Sequence, residues 1–339
     1  MNKYKTKFIS AVSLIVILLI TSCSKDNSVP TQVGSTVRLN IGQAFADTGA
    51  KKNAAKASSS RYASTSAQTR EISFHQKYQL VATLTPVNTV SPGIKASTSS
   101  GNTVTGAEQR ELKEGTVYHV AIFDASGYYK ETKSFTKGKG EQDFTIEKGK
   151  YTFVIYASGT SKNLPMIDKG ATLSTVNFVD LKADQDFMLD QVPFEVKEGQ
   201  NTLSTDLKHL FSQITFDLTT KWTGAEELIS GMELEDIGLN GASIDPTSAA
   251  VDVALATGTL TFKGAGNPVA IGLKNTIGKT IYSEPAFILT APTTDGTVLL
   301  SGFSFAGLPP EDLSIGGWNL RPGVKYQLNI TLKMRVEAA

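Results

Sequence analysis

The sequence predicts an all-β protein, two tandem β-sandwich domains behind an export signal. Apolar and polar residues alternate with a spacing of two through much of the chain after residue 35, and helical spacing is scarce. Short apolar runs are punctuated by Gly, Pro and Asp turn signals, a pattern that indicates sandwiches rather than a parallel sheet. A length of 339 residues suits two domains of ordinary size.

The N-terminus comes first. Residues 1–22 read as a signal peptide, in which Lys3, Lys5 and Lys7 precede an apolar run at 11–20. That run falls short of the about 20 apolar residues needed to cross a bilayer. It ends in Leu19-Ile20-Thr21-Ser22-Cys23, which has the form of a bacterial lipobox. Cys23 is the only cysteine in the chain, which makes it the expected lipidation site and excludes a disulfide framework. Residues 23–35 are a polar tether.

An N-terminal domain is expected over 36–197. Val37, Leu39 and Ile41 alternate with Arg38 and Asn40 as a short half-buried strand. The Ala/Ser/Lys-rich stretch 47–70 buries no face and reads as a long loop. Strands follow near 78–84, 116–123, 142–146 and 151–157. The C-terminal domain, 198–339, opens at the polar Glu198-Gly199-Gln200-Asn201. Its strands are expected at 213–219, 232–239, 250–255, 259–263, 286–289, 297–305 and 326–336, with single helical turns near 203–211 and 224–229.

Chemistry is hard to find. Lys and Arg total 33 against 32 Asp and Glu, so no basic surplus points to nucleic acid. No phosphate-cradling glycine loop or nucleophile elbow is present. Asp184 and Asp186 lack the spacing of a calcium loop and read as solvated loop acids. His119 reads as a cross-strand surface residue and His209 as a core histidine bonded to backbone. Trp222 and Trp318 are isolated and read as core. No metal, cofactor or catalytic site is expected, and the chain is read as no enzyme.

Several segments together resemble the fimbrillins, lipoprotein-derived fimbrial subunits of Bacteroidales. They are the strand and turn at 118–127, the Gly149-Lys150-Tyr151 strand to Ala157, Asp186-Phe187-Met188-Leu189, the histidine-containing 207–216, and the turn at 318–326. The resemblance implies two transthyretin-like, Ig-like sandwiches and a structural role in surface fimbriae for adhesion and biofilm formation. Implied partners are other fimbrial subunits, the outer membrane through the lipid before processing, and a host or bacterial surface ligand. It also implies proteolytic removal of the first strand, here after Arg70 or Arg61, and its replacement by a neighbour's donor strand.

The residues accommodate that mechanism. Tyr326, Leu328, Ile330, Leu332, Met334 and Val336 form one uninterrupted apolar row at spacing two. The row fits a donor strand and a strand closing its own sandwich equally. Arg70 is the preferred cut because Ile72, Phe74 and Tyr78 begin the next pattern. A glycan-binding surface lipoprotein of a nutrient-uptake system is the alternative, and it requires clustered exposed aromatics. The lipobox yields a direct prediction. Cys23→Ala abolishes fatty-acid labelling and blocks maturation; equal labelling of the two chains by a clickable palmitate analogue refutes it.

Overall fold

Alternation of apolar residues drives almost every described segment into strands. The structure is a computed structural model describing residues 34–45, 66–75, 77–87, 110–159, 163–220 and 235–334. In chain order the strands are β1 (Ser35–Ala44), β2 (Gln68–Phe74), β3 (Tyr78–Pro86), β4 (Arg110–Glu111), β5 (Val117–Asp124), β6 (Tyr129–Thr136), β7 (Asp143–Ile146) and β8 (Gly149–Ser158). There follow β9 (Asn177–Leu181), β10 (Phe187–Val196), β11 (Gln200–His209), β12 (Ser212–Thr220), β13 (Ile237–Gly238), β14 (Gly241–Asp245), β15 (Ser248–Ala254) and β16 (Thr259–Ala265). The last are β17 (Val269–Ile271), β18 (Ile277–Gly278), β19 (Thr280–Tyr282), β20 (Ala286–Ile288), β21 (Thr293–Phe305), β22 (Glu311–Leu320) and β23 (Lys325–Met334). A single 3-10 turn at Ala183–Gln185 is the only helical element among the described residues.

The first sheet runs β4-β1-β11-β10-β8-β5-β6, with β7 also on β1. β10 and β11 pair only through Met188↔His209 and Leu189↔Lys208, and elsewhere diverge, so the sheet folds over itself into two layers. Between them lies a core containing Val37, Leu39, Ile41, Val120, Ile122, Phe153, Ile155, Leu203 and Leu207. The intervening residues of β5 and β8 (Ala121, Phe123, Val154 and Tyr156) enter a second core on the opposite face. That second core is covered by the sheet β16-β15-β9. Burial on both faces explains the continuous apolar runs at 120–123 and 153–157.

A third core lies between the sheet β19-β12-β23-β3-β2 and the sheet β17-β14-β21-β13-β18, with β22 on β21. Phe74, Phe216, Phe303, Trp318, Tyr326 and Leu328 fill it, each essentially inaccessible to water.

The sheets do not follow a division at residue 198. The β2–β3 hairpin, from the N-terminal part of the chain, completes the sheet of β12 and β23. β9 joins β15 and β16, while β11 stays in the first sheet beside β1. The polar segment at 198–201 is the turn of the β10–β11 hairpin, where Gly199 takes φ +88°. The helical turn expected near 203–211 is the strand β11. The loop expected to run to residue 70 gives way to β2 at Gln68. The signal peptide, Cys23, Arg61, Trp222, Val336 and the helical turn expected at 224–229 lie outside the described residues.

The packing separates the two faces of β23. Truncating Leu328, wholly buried, costs about 2–5 kcal/mol by removing apolar burial and leaving a cavity. Thr331 sits on the half-exposed face, and its change to Ala stays within about 0.5 kcal/mol. Urea denaturation of Leu328→Ala and Thr331→Ala checks the contrast; equal midpoints contradict the assigned faces.

Candidate functional site: the β1 slot

β1 is held from both sides. It runs parallel to β11 in continuous register from Thr36↔Gln200 to Ala44↔Lys208. Its other edge pairs antiparallel with β7 over Ser35–Arg38 and with β4 at Gly42 and Gln43. Val37, Leu39 and Ile41 point inward, none more than 7% exposed, while Arg38 and Asn40 between them are exposed. Val37, Leu39 and Ile41 pack in a core with Leu112, Phe144, Leu203 and Leu207. Backbone bonds fix the register at the start of the strand: Thr36 N donates to Gly199 O at 2.9 Å, and Leu39 N donates to Gln142 O at 2.7 Å. Gln142 is itself held by Tyr118 Oη, which donates to its Oε1 at 2.5 Å.

The far end of the slot is aromatic and polar. Phe45, just past β1, lies flat on the His209 imidazole, with ring centroids 4.0 Å apart and planes 4° apart. His209 Nδ1 donates to Asp186 Oδ1 at 2.7 Å. Both side chains are buried. Asp186 occupies the left-handed region at φ +43°, closing the 3-10 turn. Gly159 makes room for it: a Cβ there would lie 2.3 Å from Asp186 Oδ2.

These positions correct three expectations. His209 bonds a carboxylate rather than backbone. Asp186 is buried rather than solvated. His119 is 8% exposed rather than on the surface, and its Nδ1 lies 3.4 Å from Tyr156 Oη. Burial holds the His119 imidazole below its usual range and pushes the Tyr156 phenol above its own. The His209–Asp186 pair escaped sequence reading because its members are 23 positions apart.

Arg70 stands inside β2, with its guanidinium 5.1 Å over the Trp318 ring. It donates from Nη1 to Thr69 O at 2.8 Å and from Nη2 to Gly317 O. Next to it, the Gln68 amide pairs with the backbone of Asn319, donating at 3.0 Å and accepting at 2.7 Å. These contacts seam β2 to β22 across the sandwich edge.

β23 occupies the middle of its own sheet, parallel to β12 and antiparallel to β3. Tyr326, Leu328, Ile330 and Leu332 are at most 1% exposed, and Met334 ends the strand. On its outer face Gln327 Nε2 donates to Asp217 at 3.0 Å. Burial raises the Asp217 carboxyl above the usual range, with Lys274 opposing the shift.

Among the described residues, no group of three or more His, Cys, Asp or Glu is placed to hold a metal ion, and no helix is long and apolar enough to cross a membrane. No family model matches the chain, and no curated protein does. Solved structures do. One, assigned to cell adhesion in Bacteroides fragilis, shares 13% identity at a TM-score of 0.46, covering 75% of this chain and 91% of its own. A fimbrial assembly protein of Parabacteroides distasonis shares 14% identity at a TM-score of 0.38, covering 64% of this chain and 83% of its own. A protein of Bacteroides thetaiotaomicron assigned to polysaccharide binding shares 10% identity at a TM-score of 0.40, covering 64% and 83%. With each identity under 25% and each TM-score under 0.5, these likenesses carry no argument about what this chain does.

Proposed function

We propose that the chain is a structural subunit of an adhesive cell-surface fibre, anchored at the outer membrane through Cys23 before processing, and that the β1 slot is its joint. The observation that supports this reading most is the form of β1. It is the first described strand, lies in a two-sided slot and presents a single apolar face. Its nearest partner in sequence, β2, belongs to another sheet, so cutting between them detaches β1 and leaves the β2–β3 hairpin in place. A strand of matching alternation then restores the backbone bonds and the buried face.

Arg61 is the cut we propose. Arg70 is a poor substrate as placed, because its backbone pairs with β3 and its side chain spans Gly317 and Trp318. The donor we propose is segment 326–336 of another copy. In the structure this strand closes its own sandwich, so its release exposes the faces of β12 and β3. At about 1.5–3 kcal/mol for each large buried side chain, that release is the costly step.

Two outcomes are expected. Limited trypsin digestion of the folded chain yields no fragment beginning at Glu71, as read by mass spectrometry, and such a fragment from folded protein removes the protection ascribed to Arg70. Chain nicked between β1 and β2 forms SDS-resistant ladders, and excess peptide 326–339 suppresses them. The same peptide carrying Ile330→Asp does not, because an unpaired carboxylate in the apolar slot costs several kcal/mol. Nicked, folded chain that forms no ladder overturns the joint; ladders indifferent to the peptide overturn this donor.

A further inference from the structure

We propose that His209 is a register-setting platform: the strand occupying the β1 slot must place a planar ring on its imidazole face. The inference rests on the strand-replacement reading and adds the rule by which a strand is chosen. An apolar groove alone specifies register weakly, because a shift by two residues returns every side chain to the same face. Val37, Leu39 and Ile41 are aliphatic and of similar size, so they do not resist such a slip. Phe45 does. A two-residue slip takes its ring off the imidazole, against which it now lies at 4.0 Å and 4°.

The platform is built rather than incidental. Asp186 fixes the imidazole through Nδ1. Asp186 is in turn held by its left-handed backbone, by the close approach of Gly159, and by its carbonyl, which accepts from Gly159 N at 3.1 Å. β11 carries His209 at the corner where it meets β10, one position beyond the last residue paired with β1. His209 therefore acts as a positioning residue at the end of the slot.

The rule also assigns a direction to a strand from 326–336. Phe45 follows Ile41 by four residues, whereas Tyr326, the only aromatic residue of that segment, precedes Ile330 by four. Placing Tyr326 on His209 sets Ile330, Leu332 and Met334 at the sites of Ile41, Leu39 and Val37 only when the strand runs opposite to β1. In the direction of β1, no ring of this segment reaches the imidazole.

Two measurements decide the matter. In the full, uncut chain, hydrogen exchange of the β1 amides is compared among wild type, Phe45→Ala, His209→Ala and the double variant. An aromatic pair contributes about 0.5–1.5 kcal/mol beyond its buried area, so Phe45→Ala accelerates exchange about two- to tenfold more in wild type than in His209→Ala. Phe45→Tyr, which keeps the ring, restores wild-type exchange. Equal acceleration in both backgrounds overturns the platform, even where His209→Ala loosens the fold generally.

In nicked chain, labelled peptides compete for the slot. Peptide 35–47 is favoured over its Phe45→Ala form, and peptide 326–338 over its Tyr326→Ala form, each about two- to tenfold. Both preferences vanish on His209→Ala. A preference at Phe45 without one at Tyr326 overturns the reversed direction. If no peptide enters the slot while the exchange coupling stands, strand replacement fails and the stacking of Phe45 on His209 survives it.

Discussion

Burial of both faces of β5 and β8 is the constraint from which the rest of the architecture follows. Val120, Ala121, Ile122 and Phe123 are each inaccessible to water, as are Phe153, Val154, Ile155, Tyr156 and Ala157. A sheet with one wet face cannot hold such runs, so two separate covers are required. β1, β11 and β7 supply one; the sheet of β9, β15 and β16 supplies the other. The second cover is drawn from distant chain, which is why the division of cores does not match a division of the sequence.

The β2–β3 hairpin makes the opposite crossing. Leu80, Ala82 and Leu84 are buried against the side chains of β12 and β23, while Gln68 and Arg70 tie the hairpin's edge to β22. The Gln68 amide replaces a missing strand neighbour for Asn319, and the Arg70 guanidinium lies over the indole that fills the edge of that core. A segment that sequence order places with the first sandwich is thereby integral to the second.

Much of the strand content was legible because alternation is local. Tyr326 to Leu332 and Leu80 to Leu84 show their buried faces directly in sequence. β6 was not legible: as an edge strand its Lys130, Glu131 and Lys133 leave no apolar face to read, and such charges suit an open edge. β11 resembled a helix because Leu203 and Leu207 are four apart, a spacing common to one helical face and to one strand face. Of the slot, the apolar row of β1 was readable, but its far end was not. Phe45, Asp186 and His209 meet through tertiary structure alone, and the left-handed backbone of Asp186 leaves no mark in composition.

The parallel pairing of β1 with β11 has a mechanical consequence. Backbone bonds of a parallel ladder are evenly spaced and slanted across the strand, here from Thr36 to Ala44. Tension applied along β1 loads those bonds together, in shear, instead of opening them one after another from an end. β1 therefore yields abruptly under axial load and only above a threshold set by the whole ladder. The same strand pulled sideways peels at small force, so the direction of tension governs how firmly β1 is held in its place.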